Sequence, residues 1–140
     1  MFKNINNLKI KAISEVSEIN LDKIRENYDE ENFESLGYIA LTESEANNTA
    51  AELILDTAWA FSPEYLEDVT GIDAEVFEIL TSKCETSNRA ILSIIEKTFG
   101  IDEFIEQSIL LDGRGHFIAS YDGVENEVYI DGEMIYVYRV

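Results

Sequence analysis

The sequence predicts one α+β domain spanning residues 1–140, with four to six helices followed by a three-stranded antiparallel β-meander and one short strand added near the N-terminus. Three observations carry this expectation. Helix-start and helix-stop residues recur through the middle of the chain. The spacing of apolar residues changes from helical to alternating after Leu110. Three Asp-Gly pairs, Asp112-Gly113, Asp122-Gly123 and Asp131-Gly132, bracket the alternating runs, and such pairs relieve the strain of positive φ in tight turns.

The elements follow in order. Leu8, Ile10 and Ala12 alternate with Lys9 and Lys11, which predicts a short strand, and a first helix follows over Leu21 to Tyr28. Thr42-Glu43-Ser44-Glu45 has the Ser/Thr-x-x-Glu pattern of a capping box and opens a helix to about Phe61. Ser62-Pro63 starts another, since Ser caps and Pro is tolerated at the first helical position, and Gly71 ends it. Further helices are expected over Asp73–Lys83, with Val76, Phe77 and Leu80 on the core side, over Ser87–Phe99, and over Asp102–Leu110. The meander strands are Arg114 to Tyr121, Val124 to Ile130, and Glu133 to Val140.

A chain of this length buries roughly 68% of its unfolded surface, enough for a core without staples. Hydrophobic residues make up 46%, so the charge does not imply disorder. Cys84 is the single cysteine and His116 the single histidine, which leaves no zinc set and no internal disulfide and suggests a reducing, cytoplasmic setting. Lys and Asn residues interrupt Met1 to Ser14, so neither a leader nor a membrane span is expected there. No cofactor or metal motif is present.

The formal net charge is -19, which opposes direct binding to nucleic acid or anionic membrane and favours basic protein partners. Its distribution is uneven: no Lys or Arg lies between Arg25 and Lys83, an interval holding 15 carboxylates. Glu45, Glu52 and Asp56 share one helical face by spacing, Glu64, Glu67 and Asp68 share another, and Glu75 and Glu78 lie opposite Val76 and Leu80. The plain reading is a solvated face. Solvated faces normally mix signs, however, because Glu/Lys pairs four apart contribute a few tenths of a kcal/mol, and here every such pairing is absent. Carboxylates four apart stand roughly 6 Å apart along a helix, close to about 6.8 Å for two phosphate rises on a DNA strand. These eight residues are the candidate partner-binding set.

A second candidate is the turn Asp112-Gly113-Arg114-Gly115-His116, with Ser120 and Tyr121 following. Arg114 is suited to an anion and His116 to acid/base work, although on one strand His116 and Ser120 would be about 13 Å apart, beyond hydrogen-bond reach. The plain alternative is a turn whose glycines supply backbone freedom and whose Arg and His make local bonds.

The run from Asp112 to Phe117, followed by Ser120-Tyr121-Asp122-Gly123 and Glu125, resembles the ending of small, largely uncharacterised accessory proteins carried by phages, plasmids and related mobile elements. Trp59, Phe61, Thr70-Gly71 and Glu85 before Asn88 are similar too, so the resemblance covers about the C-terminal two thirds. It implies no catalytic residue. It does imply an anti-defence role, because acidic anti-CRISPR and anti-restriction proteins include nucleic-acid mimics. The leading expectation is therefore a non-enzymatic inhibitor whose acidic surface occupies the basic nucleic-acid groove of a host CRISPR effector or restriction enzyme. An enzyme or nucleotide binder built on Arg114 and His116 is the rival, and an assembly subunit using the edge strand Glu133 to Val140 is the third reading.

Overall fold

The computed structural model describes residues 4–140, so Met1–Lys3, at the head of the stretch expected to lack a leader, lie outside the described residues. Among the described residues the architecture is α+β, with eight α-helices and a four-stranded antiparallel sheet. The chain forms two compact units: one holds residues 1–50 and 114–140, the other residues 51–113. Among the described residues, no helix is long and apolar enough to cross a membrane.

The first unit is the sheet unit. Helix α1 (Ile5–Ser17) replaces the strand expected at Leu8–Ile13. The alternation of Leu8, Ile10 and Ala12 is real, but a longer helical spacing, Ile5, Leu8, Ala12 and Val16, overrides it, and Asn4 caps the start by accepting the Asn7 N–H. A short helix α2 (Leu21–Glu26) is capped by Asn20. Strands β1 (Glu34–Ser35) and β2 (Tyr38–Leu41) follow, then α3 (Glu43–Asp56), along which the chain passes into the second unit. After that unit the chain returns through α8 (Arg114–Ile118) to β3 (Asn126–Ile130) and β4 (Glu133–Arg139).

The sheet order is β1-β2-β4-β3, so the expected three-stranded meander is corrected in two places. Arg114 to Tyr121 is a helical turn, not a strand, and only Tyr121 N–H keeps a ladder-like bond, to Arg139 O. The partner on that side of β4 is instead β2, in the register Tyr38↔Arg139 to Leu41↔Tyr136. The β3–β4 hairpin forms as expected at Asp131-Gly132, where both residues have positive φ. Strand β4 is covered on both faces. Ile135 and Val137 join Leu8, Ala12, Ile13, Ala40 and Val128 in the core under α1, while Tyr136 and Tyr138 point to the other face and are buried there as well.

The second unit is helical. The end of α3 leads through a 3₁₀ turn (Ala58–Ala60) into α4 (Pro63–Thr70), α5 (Ala74–Thr81), a second 3₁₀ turn (Cys84–Ser87), α6 (Asn88–Thr98) and α7 (Ile101–Asp112). The punctuation works as expected: the Ser62 hydroxyl accepts Tyr65 N–H, Pro63 opens α4, and Gly71 closes it at φ 76°. Ile54, Leu66, Phe77, Ile91, Ile95 and Phe104 are fully buried, and Phe61, Tyr65 and Phe104 form an aromatic cluster. Asn88 ties the start of α6 to the end of α3, accepting from Trp59 N–H at 3.0 Å and donating to Leu55 O at 2.8 Å.

Candidate functional site

Seven of the eight candidate carboxylates are exposed and lie in the helical unit: Glu52 and Asp56 on α3, Glu64, Glu67 and Asp68 on α4, and Glu75 and Glu78 on α5. Helices α4 and α5 pack against each other, so their acids share one pair of elements. Residues 51–113 carry 14 carboxylates against three bases, Lys83, Arg89 and Lys97. No ion pair joins any of the seven to a Lys or Arg among the described residues. One of them has a structural task as well, since Glu67 accepts the Ala74 N–H at 2.7 Å and helps start α5.

The helix ends sharpen this. α3, α4 and α5 have no basic residue in their last turns, where a cation would complement the helix dipole, and Asp56 and Asp68 place carboxylates there instead. These helices forgo an easily available stabilisation and keep their negative charge at the surface.

Sequence reasoning missed two features of α5. Val76, assigned to the core, is 42% exposed, and its neighbour Ile79 is 64% exposed, whereas Phe77 and Leu80 take the inner side. The run Ala74-Glu75-Val76-Phe77-Glu78-Ile79-Leu80 holds more apolar residues than one buried stripe needs, and that excess was the available signal. α5 therefore shows an exposed apolar pair, Val76 and Ile79, beside Glu75.

The eighth carboxylate, Glu45, belongs to the sheet unit and is turned inward. Its Oε1 accepts from Lys9 Nζ at 2.7 Å and from Thr42 N–H at 3.0 Å, while Thr42 Oγ1 accepts the Glu45 N–H. Lys9 is completely buried, with its ammonium 3.4 Å from the centre of the Phe33 ring. Burial pushes the Glu45 carboxyl up, but the Lys9 and Thr42 bonds outweigh it and hold the carboxyl below its ordinary value. Glu45 is spent on the fold.

The Arg114 turn is equally committed. Arg114 donates Nε–H to Glu125 at 2.8 Å and Nη1–H to Asn47 at 2.9 Å, lies 3.7 Å from Glu43, and stacks over the Tyr136 ring. Tyr138 also donates to Glu125, and Tyr136 donates to Glu43 at 3.0 Å. Its side chain is only 10% exposed, so the guanidinium is a bolt on the second face of the sheet. His116 is exposed and meets the edge of Phe117, Ser120 is exposed, and Tyr121 lies under the Arg139 guanidinium at 3.8 Å. Asp112, exposed at the end of α7, belongs to the other unit. The expected strand separation of His116 and Ser120 no longer applies, because the segment is helical through Ile118.

Compared with known proteins, the chain matches no family model, no curated protein and no solved structure.

Proposed function

We propose that the chain is a non-enzymatic inhibitor that presents the exposed acids of α3, α4 and α5 to a basic nucleic-acid-binding groove, the target being a host defence nuclease of the CRISPR-effector or restriction class. One observation carries the reading: seven exposed carboxylates without a basic partner among the described residues, with the apolar pair Val76 and Ile79 exposed among them. The charges steer encounter with a phosphate-reading surface and fix its register. Val76 and Ile79 supply the desolvated contact area that carboxylates lack, since binding energy in protein interfaces concentrates in buried apolar and aromatic anchors.

A groove that reads phosphates with Lys and Arg releases counterions when it binds a polyanion, so its affinity falls steeply with salt. A carboxylate surface in the same groove inherits that dependence. Immobilised chain should capture basic nucleic-acid-binding proteins at low salt, release them at high salt, and release them also to added duplex DNA. The captured protein should keep its covalent mass, which separates inhibition by occupancy from modification. Retention that ignores both salt and DNA would sink the reading.

A further inference from the structure

The helical unit has a second exposed face, away from the carboxylates of α3 and α5 in sequence and built on α7. Leu110 is 78% exposed and Leu111 58%, the former the most exposed large apolar side chain among the described residues. Beside them lie two adjoining depressions of about 490 and 320 Å³ that share Phe99 and Gln107 as lining. Leu110 and Ile109 complete the first, Tyr65, Val69 and Leu111 the second. Each has its own carboxylates, Glu103 and Glu106 in the first and Asp68 in the second, and no Lys or Arg lines either. On α7, Glu103, Gln107 and Leu110–Leu111 fall three or four apart and so share one side of the helix.

From this we infer that the α7 face is a docking groove for an amphipathic helix of a partner protein, with an apolar stripe laid over Phe99, Leu110 and Leu111 and Lys or Arg at its edges. The form of the occupant follows from the surroundings. Residues 51–113 contain no strand, so strand addition has no edge to extend, whereas a helix needs just an apolar groove. The charge of the occupant follows from the rim. Asp68, Glu103 and Glu106 favour bases alongside the apolar stripe, and the acid excess of residues 51–113 opposes a second copy of this unit. The groove has its own apolar anchors, on α7 and not on α5, and Asp68 is the one carboxylate it shares with the acids of the proposed function.

The experiment uses the whole chain and a synthetic Leu/Lys peptide of about 14 residues, four helical turns, with all Leu on one face. A scrambled peptide of the same composition is the control. Binding is followed by fluorescence anisotropy at physiological salt, where the screening length is about 8 Å, and at 1 M, where it is about 3 Å. The patterned peptide should bind at least tenfold more tightly than the scrambled one and keep that advantage at 1 M.

The double variant Leu110→Asp with Leu111→Asp supplies a sign test. Two added negative charges strengthen any purely electrostatic adhesion to a basic peptide, whereas loss of the apolar ridge should weaken docking at least tenfold. Both residues are exposed, so circular dichroism should be unchanged. Amide shifts on titrating the unaltered chain should concentrate at Phe99, Gln107 and Leu111. Equal affinity for the two peptides, absence of binding, tighter binding by the double variant, or shifts confined to α5 would each overturn the inference.

Discussion

Glu45 receives the ammonium of the buried Lys9 at 2.7 Å on the same oxygen that accepts Thr42 N–H, so one carboxylate both caps α3 and neutralises a charge inside the sheet unit. Removing one member of a buried pair costs more than replacing it by an apolar group of similar shape. Glu45→Ala strands the Lys9 ammonium and should cost roughly 3 kcal/mol. Lys9→Met leaves Glu45 partly solvated and bonded to Thr42, and should cost clearly less. Urea denaturation of the two variants measures the difference, and an equal cost would contradict the assigned roles.

The same pair sets an acid dependence. Because folding lowers the Glu45 carboxyl, its contribution is present above the ordinary value of 4.5 and is lost as the pH falls through the lower folded value. The fall in stability below about pH 4.5 should be shallower in Lys9→Met, which lacks the bond that lowers the carboxyl. Urea midpoints taken between pH 5 and pH 3 give the comparison.

At the alkaline end, burial first and then Glu45, Glu30 and Asp29 push the Tyr28 phenol up to about 12. Burial likewise raises Tyr65, Tyr136 and Tyr138, the last also through its bond to Glu125. A phenol raised on folding stabilises the fold below its unfolded value of 10.0, and the contribution from Tyr28 is lost as the pH rises from there through about 12. Phenolate absorbance from these four should rise together with loss of circular dichroism. Complete titration of all the tyrosines while the fold persists would contradict this.

Gly115 is not among the glycines of positive φ, yet a Cβ there would lie 2.6 Å from Gly123 O and 2.9 Å from the Glu125 backbone N. Helix α8 lies flush on the backbone of residues 123–125, and neither side of that contact is a movable side chain. Gly115→Ala should therefore destabilise by about 1–3 kcal/mol through overpacking. Gly71→Asn, in left-handed backbone with open space around it, should cost under about 1 kcal/mol because Asn tolerates that conformation. Thermal melts of both variants check the contrast.

Asp56 and Asp68 oppose the dipoles of α3 and α4, so Asp56→Lys and Asp68→Lys should each stabilise by about 0.3–1 kcal/mol while weakening capture of basic partners. A gain in stability paired with a loss of binding is expected where charge is kept for recognition. Melting temperature and partner capture measured on the same preparations test both halves.

The helical elements were legible in the sequence because their signals are local: Thr42 to Glu45 at the start of α3, and Ser62-Pro63 and Gly71 around α4, act within one turn of themselves. Of the sheet unit the β3–β4 hairpin was legible, through Asp131-Gly132, but the rest was not, because its decisive contacts span long separations. Lys9 counts as polar in any periodicity, and only its pairing with Glu45, far along the chain, lets it lie buried in α1. Strand β2 was overlooked because its turn is Leu36-Gly37, and Leu at positive φ is a poor hairpin signal. The Arg114 segment mixed Gly, Arg and His, and what decides its form is the close backbone contact at Gly115. All eight candidate acids were read from spacing; the inward turn of Glu45 and the exposure of Val76 and Ile79 required the packing.

The central claim, that the α3–α5 acids occupy a phosphate-reading groove, is tested most directly by competition. A basic nuclease captured by the chain is titrated with duplex DNA, and the titration is repeated with Glu52, Asp56, Glu64 and Glu78 all changed to Lys, residues that carry no cap or groove contact described above. DNA should displace the unaltered chain stoichiometrically, and the reversed variant should neither bind the nuclease nor inhibit it. Full binding and inhibition by the reversed variant would contradict the account.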